Sequence, residues 1–150
     1  MKRDFSEVEV GNRKAFHDYF VHERVECGVA LLGSEVKSIR RGGGNLRHGF
    51  AQFRDGELWL VGVNIAQYEE SGRTGHAPGR PRKLLLHKSE LYKLRSKSEE
   101  KGWTLVPLRM YFEKGRVKVE IGLCQGKREY DKRQTIKKRD EERERRSRQL

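Results

Sequence analysis

Apolar residues are scarce in this 150-residue chain, at 34% against the roughly 45–50% usual for a globular domain. A chain of this length is about one domain and can bury a core without staples. The shortfall therefore points to a segment lying outside the packed body. No apolar run approaches the ~20 residues that span a bilayer. Met1 to Val10 lacks the apolar stretch of a signal peptide, and neither end carries a lipidation motif. There are two cysteines, Cys27 and Cys124, far apart in sequence. They suit a reducing compartment rather than a disulfide framework. The expected location is the cytoplasm, away from membranes.

Catalytic signatures are missing as well. The chain has no HExxH, CxxC or GxSxG. Gly42-Gly43-Gly44-Asn45 lacks the GK[ST] of a phosphate loop and reads as a helix stop. None of the five histidines, His17, His22, His48, His76 and His87, stands at metal-ligand spacing beyond trivial neighbours. His17 and His22 would need a helix to approach one another, and that region reads as strand. The carboxylates are scattered beside Lys or Arg instead of clustering for metal-assisted phosphodiester chemistry. No catalytic residue, metal or cofactor is expected.

What the chain does hold is positive charge, with 34 Lys and Arg against 22 acids and a net charge of +12. Polyanions are the expected partners. Arg13-Lys14, Lys37, Arg40-Arg41, Arg47, Arg73, Arg80, Arg82-Lys83 and Lys88 are read as lying outside the apolar faces, as either phosphate contacts or solvated surface. Gly72 to Lys88 contains no acid, which favours contact there. Polar faces carry few aromatics, Phe20 and Tyr68 excepted, so a stacking platform for single strands is not evident. Recognition of folded RNA by shape and backbone fits better.

The first ten residues read as a loose leader. From Tyr19 the pattern has period 2: Tyr19, Val21, Val25, Cys27, Val29 and Leu31 share one face, while His22, Arg24 and Glu26 take the other. Gly28 is a natural bend in so long a strand. Ser34 is the expected cap of a short helix with Val36, Ile39 and Ser38 inward, stopped by Gly42-Gly43-Gly44. Ala51 and Phe53, then Trp59, Val61, Val63 and Ile65, mark two strands around an Asp55-Gly56 turn. Ser71 to Arg82 reads as an exposed loop. After Leu84-Leu85-Leu86, a helix runs from Ser89 as cap to Lys101, with Leu91 and Leu94 inward and Gly102 as stop. Val106, Leu108, Met110 and Phe112 alternate on one strand of a last hairpin and Val117, Val119, Ile121 and Leu123 on the other, around Glu113 to Arg116. Five or six antiparallel strands with two or three helices suggest a small, closed or nearly closed β-barrel. A sheet with helices on one face is the alternative.

Residues 126–150 differ from the rest, with 11 basic and 6 acidic residues. Between Asp131 and Gln149 the only aliphatic residue is Ile136. Burial there cannot offset the entropy of ordering. Opposite charges at i,i+4 (Lys137 and Glu141, Lys138 and Glu142, Glu141 and Arg145, Glu142 and Arg146, Glu144 and Arg148) nevertheless lower the cost of a helix. The expectation is a tail disordered when free and helical when bound.

Four stretches together resemble the SmpB family: Asn12-Arg13-Lys14-Ala15-Phe16-His17-Asp18-Tyr19, Gly33-Ser34-Glu35-Val36-Lys37-Ser38-Ile39-Arg40, Arg82-Lys83-Leu84-Leu85-Leu86-His87, and Gly126-Lys127-Arg128-Glu129-Tyr130-Asp131-Lys132-Arg133. Their order and spacing cover nearly the whole chain. The resemblance implies an OB-like barrel over residues 12–125 with flanking helices, behind a leader of residues 1–11. It implies a monomer that binds the tRNA-like domain of transfer-messenger RNA, in the place an anticodon arm takes in a tRNA. The complex would then enter the empty A site of a stalled ribosome, with the tail helical in the vacant message channel. The peptide would be tagged for degradation and the ribosome released. Glu35 is implied as a polar RNA contact, and Leu85 and His87 as contacts beside Arg82 and Lys83. Arg13, Lys14, His22 and Lys37 complete the set taken to face RNA. Gly126, Lys127 and Arg128 are implied as the hinge of the tail. Tyr130, Asp131, Lys132 and Arg133 are implied to meet the decoding region, although Asp131 could instead cap the tail helix. A general nucleic-acid-binding protein of OB type and a metal-dependent nuclease are the competing readings.

Overall fold

The computed structural model describes residues 8–68 and 75–148. Arg73, the leader before Val8 and the last two residues of the tail lie outside them. Within them the chain forms nine strands and four helices: β1 (Glu9–Gly11), α1 (Arg13–Asp18), β2 (Tyr19–Val29), α2 (Gly33–Arg40), β3 (Gly44–Asn45), β4 (Phe50–Arg54), β5 (Glu57–Val61), β6 (Asn64–Ile65), β7 (Arg82–Leu85), α3 (Lys88–Lys101), β8 (Thr104–Glu113), β9 (Arg116–Gly126) and α4 (Lys127–Arg148).

The large sheet runs β1-β8-β4-β5-β7-β2-β9, and β8 pairs again with β9. That second pairing closes β8, β4, β5, β7, β2 and β9 into an antiparallel ring, which decides against an open sheet with helices on one face. The two tight turns fall where Gly supplies the left-handed conformation. Asp55-Gly56 and Lys114-Gly115 both have positive φ, joining β4 to β5 and β8 to β9. Gly102 ends α3 in the left-handed region, donating its N–H to the Ser98 carbonyl.

Two β-bulges make the apolar pattern more complicated than simple alternation. In β2, Val21 faces Cys124 and Glu23 faces Leu123, which leaves His22 as the extra residue. In β8, Pro107 faces Ile121 and Arg109 faces Glu120, which leaves Leu108 extra. An extra residue reverses which side later side chains occupy. The expected face Val106, Leu108, Met110 and Phe112 is therefore split. Met110 and Phe112 join the main core with Leu58, Leu60, Ile121 and Leu123. Val106 and Leu108 pack with Ala15 and Cys124 in a second, small core. Tyr19 and Val21 join this second core, while Val25, Cys27 and Val29 belong to the first. The irregularity in β2 thus falls at His22.

Other expectations also shift. Residues 9–11 are a strand on β8, with Val8 and Val10 against the main core. The stretch around His17, read as strand, is the short helix α1. Asn12 caps it by accepting from the Ala15 N–H, and its amide donates to the Leu46 and Pro107 carbonyls at 3.2 and 2.8 Å. Neither Ser34 nor Ser89 is a cap: the caps of α2 and α3 are Leu32 and His87, each two residues earlier, without a side-chain bond from either. The count of strands exceeds the expected five or six because β1 and β3 carry too few apolar residues to announce themselves, and because the strand expected through Trp59, Val61, Val63 and Ile65 is divided at Gly62, of φ +73°, into β5 and β6.

Candidate nucleic-acid interface

The acid-free segment reads as exposed loop, yet in the described part of it two polar side chains turn inward. Arg82 is fully buried (0% exposed), as is Glu35 on α2 (0%), and His76 is nearly so (3%). The Arg82 Nε donates to the Glu35 carboxylate at 2.6 Å, and its Nη1 and Nη2 donate to the Val63 and Pro78 carbonyls at 2.9 and 3.0 Å. Arg80 donates to both Glu35 oxygens from Nε at 3.1 Å and again from Nη2. The Leu32 N–H donates to the same carboxylate at 2.8 Å. His76 Nε2 donates to the Ile65 carbonyl at 2.8 Å, while Ser34 Oγ meets its Nδ1 at 2.9 Å. Burial alone would push the Glu35 carboxyl up. The bonds from Arg80, Leu32 and Arg82 outweigh it and hold the pKa below the usual carboxylate value.

This corrects one expectation, since Arg82 does not lie outside the apolar faces. Glu35, expected as a polar RNA contact, is buried here with both carboxylate oxygens bonded within the fold. An inward Glu on α2 was missed because its neighbours Val36 and Ile39 already account for an inward face. The signal that could have found it is a lone acid between Glu26 and Asp55 set against the unpaired arginines of the acid-free segment.

Beside this network the chain presents a mixed surface. Leu85, next to buried Leu84, is 49% exposed. Together with Gly28, Leu31, Val36, Arg116 and Lys118 it lines a cleft of about 390 Å³. Leu85 lies close over Gly28, where an added Cβ would come within 3.2 Å of the leucine Cβ. His87 is exposed. Lys83, half-buried on β7, makes an ion pair with Glu57 at 2.8 Å. Lys37 is exposed, with its Nζ 5.6 Å from the centre of the Tyr68 ring.

A second area is built around α1. Arg13 and Lys14 are exposed and line a cleft of about 510 Å³ with Asn12, Asn45 and Arg47. The far end of α1 meets the tail, where His17, Asp18, Tyr19, Gly126, Lys127, Arg128 and Asp131 line another cleft of about 530 Å³. Gly126 is the last residue of β9 and Lys127 the first of α4, so strand passes directly into helix. Asp131 lies inside that helix, which excludes it as the N-terminal cap. Lys132 and Arg133 are exposed, and Arg133 pairs with Glu129 at 2.6 Å. None of the residues of α4 is buried. His22, at its bulge, stacks on Trp103 with ring centroids 4.2 Å apart and donor–acceptor contact to Gln125 Oε1 at 3.0 Å. The expected set therefore divides into an interior pair (Glu35 and Arg82), a cleft around Leu85, and a face around α1 and the root of the tail.

Among the described residues no group of three His, Cys, Asp or Glu could hold a metal, and no helix is long and apolar enough to cross a membrane. Burial pushes both cysteine thiols up to about 12, far from a reactive thiolate.

Compared with known proteins, residues 9–149 match the family model described as SmpB protein. The chain belongs to the SmpB family. It is 57% identical over 134 residues to the SsrA-binding protein of Symbiobacterium thermophilum, covering 89% of this chain and 85% of that one. It is 51% identical over 144 residues to the SsrA-binding protein of Desulforudis audaxviator, covering 96% and 94%. A solved structure described as "tmRNA-SmpB: a journey to the center of the bacterial ribosome" matches with a TM-score of 0.68 at 50% identity, covering 80% of this chain and 85% of that one. All four stretches that carried the resemblance lie within the span that the SmpB model matches.

Proposed function

We propose that this SmpB-family protein is a non-enzymatic, cytoplasmic RNA-binding adaptor that binds the tRNA-like domain of transfer-messenger RNA and delivers it to stalled ribosomes. The observation that carries this reading, beside the family, is the contrast between the two parts of the chain. A closed ring of strands buries the apolar residues, and a 22-residue basic helix buries none. Beyond its first turn the helix has nothing to pack against and is held by its partner, and one so rich in Lys and Arg fits a channel walled by phosphates, where counterions are released as fixed charges take their place.

In this reading the ring, up to Gly126, binds the tRNA-like domain as a monomer. Leu85, His87, Lys83 and Lys37 supply contacts on one part of its surface and Arg13, Lys14 and His22 on another. Glu35 and Arg82 act from inside, holding the segment from His76 to Leu85 against α2. The tail from Lys127 is disordered beyond its first turn when free and becomes helical in the empty message channel. Arg128, Tyr130, Asp131, Lys132 and Arg133 meet the decoding region there. The experiment is binding of the purified protein to transfer-messenger RNA and to a control folded RNA at two salt concentrations. A preference for transfer-messenger RNA that survives added salt is expected. Equal binding that collapses with salt would reduce the protein to a general basic nucleic-acid binder.

A further inference from the structure

An exposed phenylalanine on a polar face needs a reason, and Phe20 has one in the root of the tail. Its ring meets that of Tyr130 edge to face, with centroids 4.7 Å apart. The ammonium of Lys127 sits 5.4 Å from the Phe20 ring centre and donates to the Phe16 carbonyl at 3.0 Å. Tyr19 and Gly126 form the last register pair of β2 with β9. The first turn of α4 is therefore held from two sides, by α1 through Phe16 and by β2 through Phe20. Tyr130 is half-buried, whereas every residue from Asp131 to Arg148 is exposed.

We infer that Phe20, with Tyr130 and Lys127, is a tether that keeps the first turn of the tail on the ring and sets the direction in which the rest leaves. Phe20 is a positioning residue: it acts through Tyr130. The inference rests on the tail reading above and deepens it. Direction matters because a 22-residue helix extends about 33 Å, so a swing of ~20° at its root moves its far end by ~11 Å. That is more than the width of a helix backbone. Loss of an edge-to-face pair of this kind shifts the tethered-to-free ratio by about 2- to 10-fold.

The test uses the full chain. Backbone ¹⁵N relaxation of the free protein should show residues 127–130 as rigid as β9, and residues 136–146 more mobile. Phe20→Ala should bring 127–130 to the mobility of the distal tail without shifting resonances of the main core. Phe20→Tyr, which keeps the ring, should restore rigidity. Equal mobility of 127–130 and 136–146 in the unaltered protein would overturn the tether, as would rigidity that persists in Phe20→Ala. Tagging on stalled ribosomes then separates the two readings. A loosened first turn with reduced tagging and unchanged transfer-messenger RNA affinity supports both. A loosened first turn with full tagging leaves the tether standing and sinks the channel role of the tail.

Discussion

Replacing Glu35 tests the interior network most directly. Glu35→Ala leaves Arg82 with its charge fully buried, its Nε without an acceptor, and Arg80 free to swing to solvent. Breaking a buried pair from one side costs about 3–5 kcal/mol, chiefly the desolvation of the orphaned charge. That is a large part of the roughly 5–15 kcal/mol by which domains are stable. Urea unfolding followed through Trp59 and Trp103 should show it as a lower midpoint at unchanged slope. Arg80→Met should cost less, because Arg80 is partly exposed and the Arg82 bond to Glu35 survives. The double variant Glu35→Leu/Arg82→Met should recover part of the loss, since neither charge is then stranded. Acid gives an independent handle. The folded pKa of Glu35 lies below its unfolded value, so its contribution is complete above the unfolded value, near pH ~4.3, and disappears as pH falls through the folded one. The gap in stability between the unaltered protein and Glu35→Gln should narrow accordingly below pH ~4. A loss under about 1 kcal/mol for Glu35→Ala, or weakened RNA binding in a variant of unchanged stability, would refute the interior role and return Glu35 to the surface as a contact.

Cutting the chain after Gly126 should leave thermal stability and transfer-messenger RNA affinity nearly unchanged, since α4 has no fully buried residue and touches the ring only through its first turn, but abolish peptide tagging; lost RNA binding would break this division of labour. Arg13→Ala and Lys14→Ala, measured across salt, should each lower the slope of log affinity against log salt by about 1 if they meet phosphates. Gly62→Ala should destabilise by more than ~1 kcal/mol in thermal unfolding, because Gly62 has φ +73° and its new Cβ would sit 2.3 Å from the His48 carbonyl oxygen. Gly28→Val should displace Leu85 and weaken RNA binding without disturbing the main core, seen by comparing affinity with the unfolding midpoint.

The sequence made the turns, the stops and the long strands legible because each rests on local chemistry. Asp55-Gly56, Gly102 and the alternation Val117, Val119, Ile121, Leu123 need no knowledge of the partner strand. The bulges were not legible, since a bulge is a mismatch between two strands. His22 and Leu108 become extra residues only in register with β9. The run Leu105-Val106-Pro107-Leu108, apolar on both faces, was the available sign that something covers the outer side, and the cover is Ala15 of α1. The candidate site was legible in composition but not in orientation. Lysines and arginines look alike in sequence whether they face water or Glu35.

That last point limits what charge can say about binding. Counterion release counts only cations that reach phosphate from the surface, so Arg82 contributes nothing to the salt slope however basic its segment is. Its charge instead holds β7 to α2 through Glu35, and β7 carries Leu85 into the open. One strand thus holds a buried arginine and an exposed leucine, the reverse of their ordinary places. The inversion makes sense as a single device: the ion pair locks the strand, so the exposed apolar side chain beside it is held at a fixed place. On the RNA-binding reading proposed above, shape-selective recognition would use that fixity, which the +12 net charge alone would not supply.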